Sequence, residues 1–454
     1  MRDVLLLALT GLFTLIALGR PLVGMMAFVS LSILGPHSFT WGIAKTFPHS
    51  QVVGLATIVG FLISSGPKRF LREREAVIVL ALWLLFTVST LFALQPEAAM
   101  DKLFFVSKIL LMMFLCTAMV NTPERLHILV RVVALSLGFL AVKTGLFVLV
   151  TGFQEKVYGP ENTYLFQENA IGIALSANLP LLMYLFRVER ARWLRWTIAA
   201  MFLLSYPAVV ATFSRGAWLS LGAVSVLLLL GSRRRIPAIA LVVVLAIGGV
   251  TWQSFIVSNR VAARWDTLVN YEEDGSVQSR FWSWAFCSRV GLGRPLGGGF
   301  DLYSTAAYRR FYPEFVEKWP GKVWVCHSMW MQFLAEHGIL GFLLGTGLIA
   351  SCLLSLRPLS RQAQRQRTDV RVGELAPMLV VAFVAFMTGG TFLDVTYYEL
   401  LYQLVAMVII VKALSRQGAQ GDDQIVLNPE ARTRNVFGPR QPRVAARVGN
   451  RMSF

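Results

Sequence analysis

Apolar stretches separated by short polar turns repeat along almost the whole chain. They cover residues 51–65, 76–94, 103–119, 128–151, 167–186, 196–213, 217–231, 236–253, 328–354, 376–393 and 398–414. A helix that crosses a bilayer needs about 20 mostly apolar residues. Residues 4–35 are apolar as well, but Arg20-Pro21 interrupts them. The pattern predicts an all-α, polytopic integral membrane protein with about 12 transmembrane helices. That count takes residues 4–35 as one net crossing with a cytoplasmic N-terminus; two crossings there would put Met1 outside. Residues 254–327 break the rhythm, as a long polar segment among tight hairpins. Segments of that length are normally functional. The chain therefore divides into N-terminal transmembrane helices (1–253), a large outward loop region with short helices (254–327), C-terminal transmembrane helices (328–414) and a basic tail (415–454). The tail is polar, with Pro and Gly, and is predicted to be mostly disordered.

Composition sharpens the class. The 454 residues are 56% hydrophobic and 15% charged, with a mean hydropathy of +0.60. A soluble chain carries about 25% charged residues. An ordinary soluble enzyme, a disordered protein and a disulfide scaffold are excluded. The net charge of +18 would point to nucleic acid in a soluble protein. Here it fits basic loops that hold the topology, and no nucleic-acid partner is expected. Lys68, Arg69, Arg72 and Arg74 share one loop, and Arg187, Arg190, Arg192 and Arg195 another. Arg233, Arg234 and Arg235 form a third, and Arg357, Arg361, Arg365, Arg367 and Arg371 a fourth. All fall on one side by counting crossings, which makes that side the cytoplasm. The long loop then faces the periplasm of a bacterial inner membrane. Of four cysteines, Cys287 and Cys326 share that loop, where one bridge is possible.

Ionisable residues at a membrane edge are candidates for chemistry. Arg215 lies in Thr212-Phe213-Ser214-Arg215-Gly216-Ala217-Trp218, on a short outward turn. It reads as an arginine that snorkels to headgroups or as a ligand for an anion. Arg280 lies in Ser276-Val277-Gln278-Ser279-Arg280-Phe281-Trp282-Ser283-Trp284, an amphipathic helix in the long loop. Arg289 falls on nearly the opposite face of that helix. Gly293-Arg294-Pro295-Leu296-Gly297-Gly298-Gly299 lacks the Lys-Ser/Thr of a phosphate loop and reads as a tight turn. His327 opens the span after the loop, either as a cap or interface residue or as a general base. Glu336 and His337 follow deeper, without the spacing of a zinc protease. No metal site and no cofactor are expected.

These residues resemble a known family. His327-Ser328, nine residues and Gly338-Ile339-Leu340-Gly341 are similar to the His-Asn/Ser-x9-Gly-x-x-Gly pattern of bacterial O-antigen ligases. Ser214 to Trp218 resembles the Ser-Arg-Gly-Ala-Trp stretch of the superfamily formed with O-antigen polymerases and O-glycosylation ligases. Arg280 and Trp284 match its Arg-x-x-x-Trp element, Arg294-Pro295-Leu296-Gly297 its Pro-x-Gly turn, and Glu168-Asn169-Ala170 an Asn-bearing span start. The resemblance covers roughly 165–350; the N-terminal third looks, more loosely, like exosortase-associated O-glycosylation ligases.

The resemblance implies transfer of a glycan from undecaprenyl diphosphate to an acceptor on the periplasmic face. The acceptor is a sugar hydroxyl of lipid A–core in ligases, another lipid-linked glycan in polymerases and a protein hydroxyl in O-glycosylation ligases. The chemistry of the residues agrees. Charge grows on the leaving diphosphate, and guanidinium groups pair with phosphate oxygens while staying charged. Arg215 and Arg280 are expected to clamp it and His327 to take the acceptor proton, inverting the anomeric centre without a metal. Asn169, Arg289 and Trp284 complete the expected substrate contacts. A lipid-linked glycan transporter, the reading from a different class, would show inverted repeats and midplane charges. The sequence shows no repeat, and its notable charges lie at the outer edge.

Overall fold

A computed structural model describes residues 1–65, 73–231, 275–363 and 369–427. The expected span at 236–253, the long loop before 275, parts of three basic loops and the tail beyond 427 lie outside the described residues. Helices α1 (Arg2–Gly19), α2 (Pro21–Leu34), α3 (Ile43–Thr46), α4 (His49–Ile63) and α5 (Arg74–Leu91) open the chain. They lead to α6 (Pro96–Met119), α7 (Pro123–Thr151), α8 (Glu168–Val188), α9 (Arg192–Val210) and α10 (Arg215–Leu230). After these come α11 (Gly275–Gly293), α12 (Thr305–Phe311), α13 (Pro313–Lys318), α14 (Met329–Ala363), α15 (Val370–Gly390) and α16 (Glu399–Leu427). Among the described residues there is no strand. Eight helices (α1, α5 to α9, α14 and α15) are long and apolar enough to cross a membrane, and α2, α4 and α10 are shorter apolar helices. The protein is an all-α, multi-pass membrane protein. Helix α16 runs on past Ser415 to Leu427, where the sequence places the start of the tail.

The N-terminal apolar run is broken at Arg20-Pro21. Proline begins a helix easily but cannot continue one. Pro21 starts α2 as Arg20 leaves helical geometry, so residues 2–34 become two helices. They are antiparallel. Asp3 accepts a hydrogen bond from the Gly42 amide at 3.0 Å, and Thr10 meets His49 Nδ1 at 2.6 Å. At the far end of α4, the missing side chain of Gly60 lets the Ala17 carbonyl approach. Met1 therefore sits at the end of the bundle that holds residues 42–49. Helix α5 returns to that end, where the Leu94 amide donates to the Gly298 carbonyl at 2.8 Å.

Burial sorts the helices. In α8, 78% of the apolar stretch is buried, against 17% in α1 and 22% in α9. Helix α8 is thus the interior post, packed on α10 and α15, while α1 and α9 turn most of their surface outward. Residues 275–327 form a second core above the bundle. Phe286 stacks on Tyr308 with ring centres 3.7 Å apart, and Phe315 and Trp282 join them. Most of the long loop's described aromatics are used in this core.

Helix α14 is kinked at His337 (φ −129°) and Gly338 (φ +67°). The glycine-rich turn fits the kink: the Gly298 and Gly299 amides donate to the Ala335 and Glu336 carbonyls at 2.8 and 2.9 Å. A Cβ on Gly338 would lie 2.0 Å from the Pro295 carbonyl oxygen. The turn is therefore a structural wedge against α14, with two of its amides already occupied.

Candidate active site

Arg215 is the first residue of α10, and its side chain is only 7% exposed. The residues around it explain why. Phe213 adopts a left-handed φ of +52°, which turns the chain sharply after α9. Ser214 caps α10 by accepting from the Ala217 amide at 3.2 Å. Trp218 donates from its indole to the Val210 carbonyl at 2.9 Å and locks the turn. Ala217 packs on Gly172 of α8. Gly216 leaves room for Phe392, whose Cβ would be 3.4 Å from a Cβ placed there. Each neighbour in the motif has a packing role, and Arg215 supplies the charge.

The segment 391–398, between α15 and α16, gathers the other candidates. Asp394 accepts the His327 amide at 3.0 Å and the Ser328 amide at 3.4 Å. His327 itself has a left-handed φ of +50°. The Arg280 guanidinium sits 5.6 Å from the centre of the Phe392 ring. Trp330 donates to Thr391 at 3.1 Å and ties α14 to the same segment. Arg280 and the His327 amide, from separate parts of the chain, thus meet one turn, and Gly216, next to Arg215, packs near its Phe392. Burial, with a smaller contribution from the Arg280 charge, lowers the His327 pKa below its ordinary value. Its imidazole stays neutral at neutral pH, as a base requires. Burial pushes the Asp394 carboxyl up to about 7, against the pull of the two amides it accepts.

The remaining expected residues divide. Asn169 lies in the first turn of α8, one turn before the Gly172–Ala217 contact, at the same end as Arg215. Trp284 is one turn beyond Arg280, edge-on to Phe281 at 5.9 Å. Arg289 pairs with Glu314 at 2.9 Å and lies 4.1 Å from the centre of the Tyr312 ring, which commits it to the second core. Glu336 and His337 close on each other and their neighbours. Tyr397 donates to Glu336 at 2.5 Å and meets His337 Nε2 at 2.7 Å, while Ser89 meets His337 Nδ1 at 2.7 Å. Both residues are fully buried and knit α5, α14 and the 391–398 segment together. Cys287 and Cys326 form a disulfide. Among the described residues, no group of three or more His, Cys, Asp or Glu is placed to hold a metal ion.

Asp394 and Phe392 are absent from the expected site. Asp394 is an acidic residue just past an apolar span, so the criterion that selects Arg215 also selects it. Its target, 67 residues away, becomes visible only in the fold.

Comparison with known families places these residues. The model of a family of unknown function (DUF5935) matches residues 1–190. No curated protein matches the chain. The O-antigen ligase model matches residues 199–345. That matched region, similar to O-antigen ligases, holds Arg215, Arg280 and His327.

Proposed function

We propose that the protein transfers an O-antigen glycan from undecaprenyl diphosphate to a sugar hydroxyl of lipid A–core, at the periplasmic face of the inner membrane. The observation that supports this reading is that Arg280, the His327 amide and Gly216, next to Arg215, all approach the Phe392–Asp394 turn. The acceptor hydroxyl oxygen attacks the anomeric carbon, and the bond from that carbon to the diphosphate oxygen breaks. His327 takes the hydroxyl proton, and Arg215 and Arg280 hold the departing diphosphate. Fixed cations aimed at developing charge supply much of the rate in such sites. Attack opposite the leaving group inverts the anomeric centre. Asn169 and Trp284 line the donor side. The two arginines take the role a divalent metal would otherwise fill, so transfer continues in EDTA.

The test uses purified protein in detergent with an undecaprenyl-diphosphate glycan, lipid A–core and EDTA. Wild type forms ligated product, while His327→Ala and Arg215→Ala lose at least about a hundredfold in kcat, the usual cost of a missing base or electrostatic donor. Growth of the lipid-linked glycan in place of ligation would make the enzyme a polymerase. Product on a protein hydroxyl alone would make it an O-glycosylation ligase.

A further inference from the structure

A cavity of about 220 Å³ lies beside the site, lined by Ser38, Phe39, Lys143, Thr144, Tyr158 and Glu161, among others. Its walls are the turn after α2, the outer part of α7 and the loop before α8. Lys143 is eight residues before the end of α7, which is about 12 Å below that end at the helical rise. A cation at that depth is expensive unless it faces polar space. Here its ammonium sits 4.0 Å from the centre of the Phe39 ring, at the wall of the cavity. The nearby Glu161 carboxylate is paired with Lys45 at 3.2 Å. Among the described residues no ion pair joins Lys143 to a carboxylate.

The cavity and the site are back to back across α8. Ile171 lines the cavity. The next residue, Gly172, packs on Ala217, two residues after Arg215, and Ile173 packs on Gly389. One helix separates the two, and packed helices lie about 8–10 Å apart. All the lining residues fall within 1–190, whereas Arg215, Arg280 and His327 fall within 199–345. The site's cations are thus in one matched region and the cavity in the other.

We infer that this cavity is an acceptor subsite that takes a phosphorylated saccharide, with Lys143 on the phosphate and Phe39 and Tyr158 beside the sugar. The volume suits one such unit. Hydroxyls from Ser38 and Thr144, an ammonium and aromatic faces supply its contacts. This inference rests on the transferase reading above, because it assigns the cavity to that reaction's second substrate.

The test measures initial rates with lipid A–core and with the same acceptor chemically stripped of phosphate. Lys143→Met raises the acceptor KM about tenfold, as expected for losing one charged hydrogen bond. The donor KM and kcat stay unchanged, and Lys143→Arg restores most of the loss. Stripped acceptor shows the same rise on wild type and no further rise on Lys143→Met. An unchanged acceptor KM in Lys143→Met, or an equal penalty for stripped acceptor on both proteins, overturns the subsite while leaving the transferase intact. If wild type transfers nothing, the transferase reading falls, and binding of lipid A–core to His327→Ala protein decides the cavity. A Kd weakened about tenfold by adding Lys143→Met supports it, and an equal Kd ends it.

Discussion

His327 occupies the left-handed region at φ +50°, which costs a residue with a Cβ about 1–2 kcal/mol. Asp394 offsets that cost by accepting the amides of His327 and Ser328. The carboxylate therefore fixes the backbone from which the imidazole projects. Two titrations follow, with separate signs. Burial lowers the His327 pKa, so loss of the neutral base belongs below pH 6.5. Burial raises Asp394 to about 7, so its carboxylate form gains ground as pH rises through that value. Protonation uses one carboxyl oxygen for its own O–H and weakens one of the two amide bonds. Transfer is expected to rise with pH through about 7 and to keep a second acid limb at lower pH. Asp394→Asn removes the limb near 7, leaves the lower one, and costs about tenfold in kcat for one lost bond to a charged acceptor. A pH–rate profile of both proteins checks this; an Asp394→Asn profile with the wild-type shape would remove Asp394 from the positioning of His327. Arg215 and His327 stand out in the sequence as ionisable residues at an expected membrane edge, and Arg280 stands out in the amphipathic helix of the long loop. Asp394 satisfies the same rule, but its partner is set by tertiary contact. Arg289 is equally basic, and only the fold reveals Glu314 beside it.

Helices and loops deliver these side chains through a few fixed joints. Cys287 follows Arg280 by seven residues on α11, two turns on and on the same face. Its disulfide partner, Cys326, adjoins His327. The bridge therefore ties the helix that carries the arginine to the loop that carries the histidine. Ser283 donates to the Arg280 carbonyl at 2.9 Å, and the same hydroxyl lies 3.4 Å from the Cys326 carbonyl. With a sequence separation of 39 between the cysteines, the bridge is expected to add about 3–4 kcal/mol by the loop-entropy account. Replacing both cysteines by alanine lowers the thermal midpoint and, at a temperature where the protein stays folded, reduces kcat. Adding a phosphine reductant to wild type reproduces the kcat loss and does nothing further to the double variant. Equal kcat for bridged and unbridged protein would mean that the disulfide only stabilises the second core. The sequence makes the bridge possible, since both cysteines share one polar segment, but it cannot choose between bridged and free thiols. The Gly-x-x-Gly of α14 behaves in the same way. Its spacing is readable, while its role as a kink against the 297–299 turn depends on a partner from another segment.

On the proposed reading, the bundle separates chemistry from anchorage along its axis. One end holds the Phe392–Asp394 turn; the other holds a buried ion network. Glu75 of α5 is fully buried and meets Lys412 of α16 at 2.7 Å and Ser351 and Ser355 of α14 at 2.6 and 2.7 Å. Glu73 joins the same Lys412 at 3.1 Å and Arg416 at 2.8 Å. Three helices that also frame the site are thereby pinned at their far ends. Hydropathy alone predicts these helices, because apolar length is a local property. It leaves the N-terminal run undecided, since Arg20-Pro21 permits one broken crossing or two; the fold shows two helices there, with Gly60 of α4 packed on Ala17 of the first. It also leaves Glu75 and Lys412 unrelated, 337 residues apart. Removing one member of a buried pair strands the other, at a cost of about 3–5 kcal/mol. Lys412→Met is therefore expected to lower the thermal midpoint in detergent clearly, whereas His327→Ala leaves it close to wild type. Below the unfolding range, Lys412→Met should keep its acceptor KM and most of its kcat, because the network touches no substrate. Lys412→Met combined with Glu75→Gln should recover part of the lost stability, since the stranded charge is gone. If Lys412→Met instead lost activity with an unchanged midpoint, the far end would be coupled to the chemistry, and the division of the bundle into a reacting end and an anchoring end would be wrong.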